Sequence, residues 1–322
     1  MSITEQLARA VKKRVRLGFP NEHTTAYRLV HGEHDGIDGL TVDVYGRYLV
    51  ASVYTESYGE TEQGWLQELS QLPFEGVYLK RRPRQANEVD QAERLERAPE
   101  HAVFGVDAPS ELLVLENGVS FEVRLGDGFS TGLFLDQRDN RARLALQAPG
   151  KSVLNLFSYT CAFGVAAAVA GARRTVNVDV SRGVLERGRK NYQLSQLPLE
   201  EHLFLARDVL ETLPKLAKKE ERFDLVVLDP PSYATTKHGR FSVERDYGDL
   251  LAIALPLVSE GGALLACMNH HKLDERALSG TLVSIANRVS RPIRELELVL
   301  PPADHEALPG RVPHLKSAWI RL

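Results

Sequence analysis

Residues 152–180 read SVLNLFSYTCAFGVAAAVAGARRTVNVDV, and their reading decides the fold. SVLNLF is an apolar run of strand length, a short loop follows, and CAFGVAAAVAGA is a helix of small residues. RTVNVDV then returns as a second strand. Strands joined through a helix in this way lie parallel. No charge occurs from Ser152 to Ala172, which a hydropathy window could mistake for a membrane span. Asn155, Ser158, Tyr159 and Thr160 break the run, so a buried strand, loop and helix fit it better.

The same grammar continues downstream. SRGVLERGRKNYQLSQL is a helix, HLFLARD a strand, VLETLPKLAKK a helix and FDLVVLDPP a strand. DYGDLLAIALPLV, GGALLACMN and ERALSGTLVSIANRV repeat the alternation, and the tail holds two more strand candidates. Repeated units of this length predict an α/β fold over 131–322: a Rossmann-like, doubly wound, mostly parallel sheet with helices on both faces.

Upstream the pattern differs. Residues 1–20 predict an amphipathic basic helix, in which Arg9, Lys12, Lys13, Arg14 and Arg16 face only Glu5. AYRLV, LTVDVYG and RYLVASVY, with the turn-forming HGEHDGIDG between them, predict a smaller β-rich α+β domain over 21–110 that orients substrate. WLQELSQLPFEGVYLKRRPRQ adds a helix, a turn and a strand, while 86–110 read as a polar linker. Over 111–130, LLVLENGVSFEVRLGDG centres on Asn117-Gly118 and predicts a connecting β-hairpin.

Composition agrees with two domains, since 322 residues exceed what one core usually fills. A 43% hydrophobic and 26% charged content excludes disordered and coiled-coil readings. Cys161 and Cys267 are too few for a disulfide framework or a cysteine-rich zinc site. The net charge of -3 announces no nucleic-acid partner, although a local basic patch can hide within it. MSITEQLARAVKKRVRLGF lacks the apolar stretch of a signal peptide, so a cytoplasmic protein with reduced thiols and no membrane partner is expected.

In an open α/β sheet, ligands bind beyond the carboxyl ends of the strands. The first strand leads into Asn155-Leu-Phe-Ser-Tyr-Thr-Cys-Ala-Phe-Gly164, where one glycine cannot cradle a diphosphate as G-x-G-x-x-G does. Asp179 follows the second strand, where a carboxylate accepts from ribose hydroxyls. Asp208 ends the third, placed for an adenine amino group, and Asp229-Pro230-Pro231-Ser232-Tyr233 ends the fourth. Alone, either Asp179 or Asp208 would more often be a helix N-cap. Together these features describe a nucleoside pocket without a phosphate cradle, which suits S-adenosylmethionine better than NAD or ATP.

The chain resembles class I S-adenosylmethionine-dependent methyltransferases, and among them the bacterial family that methylates bases of large-subunit ribosomal RNA. The likeness runs from about Tyr27 to the C-terminus. It is carried by RLVHGEHDGIDGLTVDVYGRYLV, TGLFLDQRDNR (131–141), LNLFSYTCAFGVAAAVAGA, VNVDVSRGVLERGRKNYQL, FDLVVLDPPSYA and ADH (303–305). The resemblance implies that Gln137 and Arg138 border the methionine end of the cofactor, where Arg138 would grip a carboxylate unless it pairs with Asp136 or Asp139. It further implies that Asn155, Phe157, Tyr159, Thr160 and Gly164 line the methionine and ribose part. Asp179 would take the ribose hydroxyls, and Asp208 with the Val209 backbone the adenine. Asp229, Pro230, Pro231 and Tyr233 would hold the target base, out of its stack, beside the methyl group.

Three departures from the family pattern matter. Cys161 stands where the family usually has glycine, and a side chain there would narrow the approach to the cofactor. Members that methylate carbon-5 of cytosine attack with a cysteine at the place of Asn269; Cys267 lies two residues earlier and reads as a core thiol. Direct attack by a base nitrogen is the expectation that follows. Third, the residues before the β-rich domain are too few for the PUA domain that often comes first. RNA would then be held by Arg9–Arg16, Lys80–Arg84 and Lys237-His238-Gly239-Arg240, unless these are solvated faces. His270-His271-Lys272 and His305 lack carboxylate or cysteine partners at ligand spacing, so no metal is expected. A small-molecule or protein substrate, a non-catalytic RNA-binding assembly factor, and either a monomer or a homodimer remain alternatives.

Overall fold

The computed structural model describes residues 2–54, 59–83, 91–236, 239–270 and 273–322; for residues 91, 235, 236, 239 and 240 it describes the backbone alone. The chain forms two compact units. One comprises Met1–Leu135 with Pro302–Leu308, the other Asp136–Pro301 with Pro309–Leu322.

In the first unit, α1 (Ile3–Arg16) opens on a capping box between Ser2 and Glu5. The strands β1 (Ala26–His31), β2 (Leu40–Tyr45) and β3 (Tyr48–Val53) are antiparallel neighbours. After α2 (Glu60–Ser70) comes β4 (Gly76–Arg81), parallel to β3. The polar stretch expected as a linker instead holds α3 (Gln91–Arg97) and β5 (Phe104–Gly105), a two-residue edge strand on β4. That strand is too short to show alternation. The Asn117-Gly118 turn joins β6 (Leu112–Glu116) to β7 (Val119–Val123). Leu7 and Ala10 of α1 share one core with Leu29, Val42, Leu49 and Leu79, so the N-terminal helix is part of this unit.

Packing also removes cations from two of the expected basic patches. Arg14 is 1% exposed, donates to both oxygens of Asp35 at 2.7 and 2.8 Å, and donates to the carbonyl of Arg28. Lys80 points into the buried face of β4, and Arg81 pairs with Glu62. Arg84 and Lys237-His238 lie outside the described residues, as does the side chain of Arg240.

The second unit begins with α4 (Arg138–Gln147), then alternates β8 (Ser152–Leu156), α5 (Ala162–Val169), β9 (Arg174–Asp179), α6 (Arg182–Leu194), β10 (His202–Ala206) and α7 (Val209–Lys218). It continues with β11 (Phe223–Leu228), the hairpin β12 (Tyr233–Thr236) and β13 (Gly239–Ser242), α8 (Val243–Ala254), β14 (Val258–Asn269), α9 (Glu275–Arg288), β15 (Glu295–Val299) and β16 (Leu315–Arg321). The sheet order is β10-β9-β8-β11-β14-β16-β15, with β16 antiparallel to both neighbours and the rest parallel. Alternate residues of β11 feed opposite cores: Phe223, Val226 and Leu228 one, Leu225 and Val227 the other. Burial on both faces explains why the strand reads as continuously apolar. The chain passes outward from β8 to β10 and then crosses to β11, so the topological switch lies between β8 and β11.

Candidate functional site

The loops after β8, β9, β10 and β11 and the segment before α4 carry the residues expected of the site. The loop after β8 is held in an unusual shape. Phe157, Tyr159 and Cys161 all have positive φ (57°, 47° and 60°), a conformation that costs non-glycine residues energy. Asp179 holds it there: one carboxylate oxygen accepts from the Tyr159 amide and the other from the Ser181 amide, both at 2.9 Å. Val178 adds its carbonyl to the Ser158 amide. Asp179 therefore acts on the loop directly, while Ser181 caps α6.

The other nucleoside residues divide. Asp208 caps α7, accepting from Leu210 at 2.8 Å, and Val209 buries its side chain in the core, leaving its amide at the open end of the helix. Phe157 packs against Phe241, Tyr159 is half-buried, and Thr160 is buried with its carbonyl taken by Asn191. Asn155 and Gly164 take a different position from the one expected, since both pack beneath the loop. Asn155 donates to Asn177, which donates to Tyr192, in a fully buried network under α5. A Cβ on Gly164 would fall 2.2 Å from Asn177 Oδ1 and 2.5 Å from the Tyr192 hydroxyl. Cys161 is a third such case. Its side chain is fully buried and turned toward α6, where it fills the space a Cβ on Gly188 would occupy at 2.4 Å. It does not narrow the mouth of the loop.

The reaction-centre motif is joined to the segment before α4. Gln137 Nε2 donates to Asp229 Oδ2 at 2.9 Å, linking positions 92 apart in sequence. Gln137 is itself set by Asn140, which also donates to Ser317. Arg138 is buried and lies 3.5 Å from Asp139, the ion-pair alternative weighed from sequence. Burial, and then the charge of Asp136, push the Asp229 carboxyl up to about 7, against the opposing Gln137 bond. Asp229 Oδ1 is shut from solvent with no partner among the described residues, as are the Tyr247 hydroxyl and Asn269 Oδ1.

Pro230 is buried and Pro231 exposed. Tyr233, 53% exposed, sits 3.5 Å from His270 Nε2 through its hydroxyl. Ser232 donates to the carbonyl of Asn269 at 2.5 Å. Cys267 is fully buried, near Ser317 and Gln137 at 3.7 and 3.9 Å, and burial pushes its thiol well above the ordinary range. Sequence reasoning missed Asn140, Ser317, Tyr247 and the tie from Ser232 to Asn269. Ser232, beside the Asp-Pro-Pro motif, and Asn140, within TGLFLDQRDNR, lay in motifs that could have found them.

A Rossmann-like sheet with an acidic residue beyond the second strand, an Asp-Pro-Pro beyond the fourth and no phosphate cradle defines a class I S-adenosylmethionine-binding fold. A profile described as S-adenosylmethionine-dependent methyltransferase matches residues 27–294, and the chain belongs to that family. It is 34% identical over 283 residues to ribosomal RNA large subunit methyltransferase I of Aeromonas salmonicida, covering 87% of this chain and 70% of that protein. The corresponding protein of Tolumonas auensis is 32% identical over 92% of this chain and 73% of its own length. The crystal structure of SMU.776 complexed with SAH superposes with a TM-score of 0.87 at 29% identity, covering 99% of this chain and 81% of that one. The protein is an S-adenosylmethionine-dependent methyltransferase. The site fits that cofactor: Asp229 leaves one buried oxygen unmatched, and the loop that Asp179 fixes holds no diphosphate cradle. Among the described residues, no helix is long and apolar enough to cross a membrane.

Proposed function

We propose that the protein methylates a nucleobase of large-subunit ribosomal RNA in the cytoplasm, by direct attack of a ring or exocyclic nitrogen. The observation that carries this reading is Asp229: a carboxyl with one oxygen fixed by Gln137, the other buried and unmatched, next to the exposed Tyr233. Names of the relatives support the RNA class. When bound, the cofactor supplies an electrophilic methyl group on a positively charged sulfur.

The protein's own work is placement and proton handling. Tyr233 offers its ring for a flipped base to stack on, and the Asp229 carboxyl and Pro230 carbonyl accept from the base edge. Once a base N–H becomes N–CH3, a proton must leave. A carboxylate whose affinity for protons lies near neutrality is suited to take it. Asp179 and the backbone of 157–161 would hold the ribose side, with Asp208 and the Val209 amide at the adenine. The buried Cys267 thiol disfavours the alternative through a covalent adduct at carbon-5 of cytosine. The β-rich unit would orient the RNA.

Mass mapping of ribosomal RNA from a strain lacking the protein is the test. Loss of one N-methylated base is expected. An unchanged modification pattern would overturn the RNA reading and favour a small molecule or protein side chain; loss of a 5-methylcytosine would overturn the nitrogen route.

A further inference from the structure

Behind the proposed base-holding residues lies a buried ammonium to which, among the described residues, no carboxylate is bonded. Lys316 is 1% exposed and pairs in register with Met268, on the strand beside β14. Its Nζ donates to three backbone carbonyls: His270, Pro313 at 3.0 Å and His314 at 2.9 Å. That exhausts the three donors of an ammonium. Asp274 and Glu275 act on it electrostatically, and burial outweighs them and pushes it down to about 8. A charge taken out of water without an ion-pair partner is costly to keep, and an apolar side chain of that length would pack there without it.

The carbonyl it reaches just past the end of β14 suggests what the charge is for. Asn269 and His270 are consecutive, and their carbonyls are gripped from opposite sides, the first by Ser232 of the reaction-centre loop and the second by Lys316 of β16. His270, 2% exposed, then lies against Tyr233, with ring centroids 6.4 Å apart. A displacement of this peptide would move Ser232 and the seat of Tyr233 together.

We propose that Lys316 is a positioning residue for methyl transfer, fixing the Asn269–His270 peptide so that Ser232 and Tyr233 hold the target base rigidly. This rests on the reading of Tyr233 as the base platform. Lys316 touches none of the cofactor-side residues, so its loss should act on the transfer step and leave cofactor binding alone.

The test uses the full chain. For Lys316→Met, transfer of labelled methyl to ribosomal RNA should fall about tenfold in kcat, with the KM for RNA changed less than twofold. SAH affinity should stay within twofold of wild type. Lys316→Arg, which keeps the charge, should recover part of the rate. Amide exchange of the SAH-bound protein should accelerate at least fivefold in 229–236 and 264–270, with the other strands unchanged. Wild-type kcat in Lys316→Met, or unchanged exchange in those two segments, overturns the proposal. A parallel loss of SAH affinity overturns it too, by showing a general structural role. Should the methionine variant not fold, Lys316→Gln carries the same expectations. If the wild-type protein leaves RNA unmethylated, the RNA reading falls, and exchange alone then decides the role of Lys316.

Discussion

Asp229 illustrates how the residue proposed to take the proton would cost the fold stability. Its carboxyl titrates near 7 in the folded chain against 3.8 when unperturbed, so between those values the folded state keeps a proton the unfolded state has released. Stability must then fall as pH rises through that window. Asp229→Asn removes the dependence and still accepts from Gln137. In thermal melts without cofactor it should match wild type near pH 4 and exceed it by about 2–4 °C at pH 8, with methyl transfer lost. Cys267 offers the opposite case. Cys267→Ala should cost on the order of 1 kcal/mol in denaturant unfolding, from the small cavity left behind, while turnover stays within twofold. An inactive but folded Cys267→Ala would revive the thiol-adduct route. The positions of these residues, at the ends of β11 and β14, were legible because Asp-Pro-Pro and the glycine pair before the cysteine are local signals. The inward direction of Cys161 was not, since it depends on Gly188 of another element.

At the scale of elements, legibility followed periodicity. The continuously apolar run at β11 and the small-residue helix α5 announced a sheet covered on both faces. Residues 138–147, RDNRARLALQ, announced no helix, though RDNR falls in a family motif: Arg138, Asn140 and Arg141 are on the side of α4 that is buried, so no apolar stripe marks it. The same three polar residues lie next to Gln137, which is why the element hidden to a hydropathy reading is the one that sets a site residue. Gly164, expected as a cofactor contact, is also where α5 comes closest to Asn177 of β9. Gly164→Ala should therefore lower stability by about 1–3 kcal/mol through overpacking, measured by urea unfolding. Cys161→Gly, by contrast, should leave SAH affinity within about threefold by calorimetry, its φ of 60° being easy for glycine.

Across the whole molecule, the two units were expected as consecutive segments, and the chain is not so arranged. Pro302–Leu308, which includes the ADH motif, belongs with the N-terminal residues. Asp304 accepts from the Arg28 amide at 2.9 Å, and its own carbonyl accepts from Arg14 at 3.3 Å. No short-range pattern announces a contact across 276 positions. Arg14→Ala would leave the buried Asp35 carboxylate with only the His31 amide and Lys13 at 3.9 Å, and should destabilise the β-rich unit by about 2–4 kcal/mol. Denaturant melts should show that loss; a cost under 1 kcal/mol would mean the pair is better hydrated than its burial indicates. The path of the tail also orders events during synthesis. Pro302–Leu308 completes the first unit, and β16, made last, slots between β14 and β15. A nascent chain translated only as far as position 300 therefore has neither unit finished, and a stop codon there would spoil both at once.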